Sequence, residues 1–188
     1  MLRSLFAVMI FLGIAAAAQA SDCTGDLRKR DARIDLVGEY TDMRYTEEHA
    51  YGYTVELWRS GQCLFGLFLA SAGLAGDTPT GRIEDLKFDP RTGAIAFVAR
   101  LTLGRLTAKG LDNVESRDLY RFTGKLNKNA LRGTVRHTNA LLPQQPGESA
   151  ALVLRRSQTH ADALRSVATF REWEREVRRM LELRGPKW

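Results

Sequence analysis

The chain has 188 residues, 44% of them hydrophobic and 27% charged, with a net charge of +6 and only two cysteines. That length supports one domain whose core does not depend on disulfide staples. The positive balance invites a nucleic-acid reading. However, the arginines are scattered among Glu and Asp, and no basic run exceeds Arg28-Lys29-Arg30, itself flanked by Asp26 and Asp31. The charge therefore reads as a solvated surface of mixed sign, with attraction to an anionic envelope surface as its remaining use.

Residues 1–20 have the layout of a secretory signal: Arg3 as the basic start, an apolar run over 5–18, and Ala18-Gln19-Ala20 as a small-x-small cleavage site. Asp22 before Cys23 is wrong for a lipoprotein, so release is expected rather than anchoring. No later stretch is long and apolar enough to span a membrane. The expected location is periplasmic or secreted, where nucleic acid is not a partner. In an oxidising compartment the two cysteines most simply form one disulfide, Cys23 to Cys63.

Residues 21–35 are polar and aperiodic, a lead-in of loop or a single helical turn. A first strand spans 36–42. The clearest local signal follows at 50–71, a β-hairpin in which Tyr51, Tyr53, Val55 and Leu57 alternate with Gly52, Thr54, Glu56 and Trp58. Ser60-Gly61-Gln62 supplies the turn. The return strand, 63–69, is apolar on both parities and needs cover on both faces. With Leu57 and Phe65 assigned to the inner wall, Leu69 and Ser71 point inward at its far end.

A Gly- and Pro-containing connection at 72–80 leads to a strand at 81–89 whose parity breaks at Glu84-Asp85, the mark of a bulge. Asp89-Pro90-Arg91-Thr92-Gly93 is a turn. Then Ile95, Phe97, Ala99, Leu101 and Leu103 share one face of a strand at 94–103. A longer polar connection covers 104–116. Asp118, Tyr120, Phe122, Gly124 and Leu126 share the inner face of the next strand, and Leu131, Gly133, Val135 and His137 that of its partner across Asn127-Lys128-Asn129. The last strand, 149–156, turns Ala150, Leu152 and Leu154 inward. Glycines 66, 124 and 133 read as bends in the wall.

Eight strands joined by connections of alternating length predict a mainly β fold. It is an eight-stranded antiparallel up-and-down barrel over 36–156, with the long loops at one end and the tight turns at the other. The segment 157–188 is helical. A short helix is expected from about Thr159, with a break near Thr169, where Thr169 and Glu172 form a capping box. Phe170, Trp173, Val177, Met180 and Leu181 then make one stripe, stopped by Gly185-Pro186. This stripe is the natural cover for strand 63–69.

The pattern resembles the lipocalins and the wider calycin barrels. Gly38-Glu39-Tyr40 stands where that family carries Gly-x-Trp on its first strand, and Arg155 or Arg156 matches the Arg that ends its last strand and packs across that aromatic. The resemblance implies that the N-terminal lead-in crosses the closed end. A Cys23–Cys63 bridge would then hold it across the barrel floor.

With the floor closed, a ligand enters among the long loops. The inward residues nearest that mouth are Tyr51, Tyr53, Leu69, Leu103, Asp118, Tyr120 and His137. Apolar walls with a few convergent polar tips suit a small apolar or amphipathic ligand. The competing expectation is an interior filled by its own side chains. His137 with Asp118 has the makings of an acid–base group, but a lone inward His is more often structural, so a non-catalytic protein is favoured. His49 lies on a loop, and the three histidines lack metal-ligand spacing. No phosphate loop or Gly-x-Ser-x-Gly elbow is present, and no cofactor is expected. The alternative function is a protein-interaction module of the envelope that uses loops 43–50 and 104–116.

Overall fold

The computed structural model describes residues 23–74, 78–108, 110–157 and 166–188. The expected signal segment at 1–20 and the expected helix from Thr159 lie outside these residues, apart from 166–168, which are not helical. The strands are β1 (Asp35–Thr41), β2 (Arg44–Tyr45), β3 (His49–Ser60), β4 (Cys63–Leu74), β5 (Thr80–Asp89), β6 (Ala94–Leu101), β7 (Arg105–Ala108), β8 (Leu111–Glu115), β9 (Asp118–Leu126), β10 (Ala130–Asn139) and β11 (Glu148–Arg156). Two helices, α1 (Thr24–Arg30) and α2 (Phe170–Arg184), flank them.

Eight strands close into the expected antiparallel barrel in the order β1-β3-β4-β5-β6-β9-β10-β11, because β1 pairs with both β3 and β11. The short β2 extends the β3 edge, and β7 and β8 form a separate two-stranded hairpin where a plain loop was expected. The bulge expected at Glu84-Asp85 is present: the β5–β6 register shifts between Glu84 and Lys87, and Asp85 has φ +49°. At the closed end Arg156, rather than Arg155, pairs in register with Tyr40 and donates to the Val37 and Lys128 carbonyls at 2.9 and 3.3 Å.

Two apolar clusters divide along the strand parity. The inner one gathers Tyr40, Val55, Leu57, Leu64, Phe68, Phe97, Phe122, Leu131 and Leu154 with the other inward residues of the barrel. Gly124 and Gly133 lie opposite one another, and a side chain on either would strike backbone and the Phe122 ring, so the wall here is shaped to seat that ring. The outer cluster packs α1 and α2 onto β3 and β4 through Leu27, Trp58, Phe65, Leu67, Phe170, Trp173 and Val177. The expected stripe of α2 is therefore covered by the barrel wall, and its capping box forms as expected.

The phase of β4 is the reverse of the expected one. Gly61-Gln62 is a two-residue turn, with Gly61 at φ +58°, so Ser60 pairs with Cys63, Trp58 with Phe65 and Leu57 with Gly66. Paired residues share a face. Since Leu57 points in, Gly66 and Phe68 do too, while Phe65 and Leu69 join Trp58 outside.

The lead-in also departs from the expectation. Cys23 and Cys63 are bridged, with Cα atoms 5.7 Å apart, but Cys63 faces the outer cluster. It thus ties α1 to the wall beside α2 rather than across the floor. Arg28 adds an ion pair to Glu174 at 2.6 Å, and the chain then passes Thr169 in a single antiparallel bridge from Arg33 on its way to β1.

Candidate functional site

The open end is built from the starts of β3, β9 and β11 and the ends of β6 and β10. Asp118, the first residue of β9, is its electrostatic centre and is 3% exposed. Its Oδ2 accepts from the Leu103 N–H at 2.9 Å and the Ser116 hydroxyl at 2.5 Å. Its Oδ1 accepts from His137 Nε2 at 2.8 Å and Asn139 Nδ2 at 3.4 Å. Burial works to raise this carboxyl's pKa, but the hydrogen bonds from His137, Ser116 and Leu103 outweigh it and hold the group below the usual carboxylate range. An ionised Asp118 fixes the Nε2 tautomer of His137 as donor.

The His137 ring stacks on Tyr120 at 4.6 Å between centroids, with 15° between planes. Tyr120 meets Tyr53 edge-on at 6.0 Å, and both rest on Phe68, at 5.2 and 5.7 Å. Burial raises the pKa of both phenols, and the negative charge of Glu148 adds to the effect on each. At neutral pH they are therefore uncharged hydrogen-bonding tips. Among the described residues neither hydroxyl has a partner.

Of the expected site residues, Tyr53, Leu103, Asp118, Tyr120 and His137 come together. Tyr51 does not: it is 48% exposed beyond the rim, stacked on His49 at 6.0 Å. Leu69 packs in the outer cluster, for the register reason given above. Ser71 shares its parity and is buried. It lines a groove of about 330 Å³ beside the mouth with Leu103, Arg105, Leu183 and Lys187. Glu148, opposite His137 in the β10–β11 register, was missed, as was Asp42, whose Oδ1 accepts the Tyr53 N–H at 2.7 Å. The parity of Ala150, Leu152 and Leu154 extends back to Glu148 and is the signal that would have found it.

Below the mouth the interior is occupied. Phe68 lies tilted against Phe97 at 6.0 Å and Phe97 stacks on Phe122 at 5.1 Å, above the fully buried Leu57, Leu131 and Leu154. A second groove of about 330 Å³ opens on the flank between β4 and β5, whose pairing is limited to Leu67–Arg82, Phe68–Gly81 and Leu69–Thr80. It is walled by Leu64, Ile83, Leu86, Phe170 and Trp173.

The arrangement can present an oriented imidazole, two neutral phenols and an apolar floor. Among the described residues, His137 hydrogen-bonds to no hydroxyl or thiol that would act as a nucleophile. Among the described residues, no group of three or more His, Cys, Asp or Glu gathers there to hold a metal.

All four partners donate to the ionised Asp118, so Asp118→Asn removes the charge they serve and replaces one acceptor oxygen by an amide N–H, which forces at least one partner to reorient or change tautomer. The expected cost is about 2 kcal/mol in urea unfolding. The folded pKa of Asp118 lies below its unfolded value, so its contribution is present above the ordinary carboxyl range near pH 4 and lost as pH falls through the folded pKa. The variant should accordingly show a shallower loss of stability below about pH 4 than the parent.

Comparison with protein-family models, curated proteins and solved structures finds no match.

Proposed function

We propose that this protein is an exported, non-catalytic binding protein that holds a small apolar or amphipathic molecule at the rim of the barrel mouth. The observation that carries the reading is the cluster of Tyr53, Tyr120 and His137, anchored by ionised Asp118, directly above an aromatic interior. Convergent polar tips over an apolar floor are the makings of a small-molecule site. The packed rings of Phe68, Phe97 and Phe122 below the mouth favour the rim and the adjoining groove at Ser71 and Leu103 as the ligand's place. The Cys23–Cys63 disulfide fits an oxidising compartment, in keeping with the apolar start of the chain. Among the described residues, no helix is long and apolar enough to cross a membrane.

The test is denaturing mass spectrometry of protein purified from its native host. A co-purified small molecule is expected, retained on the order of tenfold less by Tyr53→Ala or His137→Ala. Protein that carries no such molecule, and that binds no alkyl amphiphile added to it, would overturn the reading.

A second reading rests on a different observation. The β7–β8 hairpin stands apart from the barrel sheet, and Tyr45 near the mouth is 70% exposed. Both suit docking of an envelope protein. Cross-linking to such a partner that is lost on deleting the hairpin, and kept in the mouth variants, would favour it.

A further inference from the structure

The barrel register concentrates positive charge in a way the linear sequence conceals. Arg121 and Lys125 on β9 and Arg132 and Arg136 on β10 all point outward and are exposed. Arg121 lies directly across from Arg136, and Lys125 from Arg132. On β11, Arg155 extends the same face. The remaining outward residues of these strands are Leu119, Thr123, Ala130, Thr134, Thr138, Ser149, Ala151 and Val153, and β6 continues the face with Ala94, Ala96, Val98 and Arg100, the last paired with Glu84 of β5. No acid points outward from β9, β10 or β11.

Several cations elsewhere are matched. Glu174 holds Arg28 and Arg82, Glu84 holds Arg100, and Glu115 lies near Arg105. Among the described residues, Arg121, Lys125, Arg132, Arg136 and Arg155 make no ion pair. Like charges directly opposite across two strands are destabilising, so the fold carries this arrangement against a local cost.

We propose that this wall docks on an anionic lipid bilayer. Four residues of strand separate the two cross-strand pairs, about 13 Å, too far for them to converge on one phosphate. Spread over three neighbouring strands, they form a two-dimensional array, which matches a surface of many headgroups rather than one linear chain. The strands that carry the five cations, β9, β10 and β11, turn no aromatic ring outward on which a nucleobase would stack, since Tyr120 and Phe122 point inward. Val153, 43% exposed, lies amid the cations and can touch the headgroup layer. The helices cover β3 and β4 on the opposite side of the barrel, so docking leaves both them and the mouth clear.

The test is sedimentation of the mature protein with vesicles of phosphatidylcholine alone, or of phosphatidylcholine and phosphatidylglycerol in a two-to-one ratio. Binding is expected only to the anionic vesicles, at about 0.15 M salt, and is abolished near 1 M, where the Debye length shrinks to about 3 Å. Arg132→Gln with Arg136→Gln should lower partitioning about 30-fold, and Arg121→Gln with Lys125→Gln should do the same. Arg175→Gln with Arg179→Gln on α2 removes as much charge and should change partitioning little. Equal losses in all three double variants, binding indifferent to phosphatidylglycerol, or full displacement by millimolar inorganic phosphate would each overturn the proposal.

Discussion

Replacing Trp173 by alanine is expected to destabilise the fold by about 3–5 kcal/mol, read as a lowered urea midpoint by circular dichroism. Trp173 is 2% exposed and sits where both helices meet the barrel. Its ring meets Phe65 at 4.8 Å and Phe170 at 5.5 Å, and the Arg82 guanidinium lies 5.6 Å from its centroid. The cavity would be walled by β4, whose backbone is fixed by pairing with β3 along its whole length, so little collapse is available to relieve it. The indole N–H has no acceptor among the described residues. Trp173→Phe keeps most of the apolar contact and removes that orphan donor, so it should cost less than half as much as alanine.

Cys63→Ser is the second large effect. The bridge to Cys23 spans a sequence separation of 40, and opening it should cost about 4 kcal/mol on the chain-entropy account. The loss has a place as well as a size. α1 is only seven residues, too short to persist by itself, and it is held by the disulfide, by Leu27 in the outer cluster and by Arg28 on Glu174. Hydrogen exchange in 24–30 should therefore rise first, while amides of β9 and β10 around Tyr120 and His137 keep their protection. Because Cys63 and Trp173 share one cluster, their combined effect should differ from the sum of the two.

Much of the barrel was legible because strand pattern and turn chemistry agreed. The alternation at 94–101, 118–126 and 130–137 gave the correct inner faces, and with them the meeting of Asp118 with His137 at the open end. The break at Glu84-Asp85 and the Thr169–Glu172 cap were equally plain. β4 failed for a physical reason: a strand apolar on both faces carries no phase, so Phe65 and Leu69 went to the wrong side. Only the length of the Gly61-Gln62 turn could have set that phase. The lead-in was misplaced because its position came from family likeness and not from its own residues; Leu27, one apolar side chain in a charged run, was the sole clue to the wall contact. The cationic face needed the β9–β10 register, which no linear count of Arg and Lys contains.

The proposed ligand sits at the rim, above the packed rings of Phe68, Phe97 and Phe122, and the most direct test of that placement is a chemical-shift titration of isotope-labelled protein with dodecanoate. Saturable shifts are predicted at Tyr53, Leu103, Tyr120 and His137, with Leu57, Leu131 and Leu154 unmoved. Shifts confined to those deep residues, or to the flank groove at Leu64, Ile83 and Leu86, would contradict it.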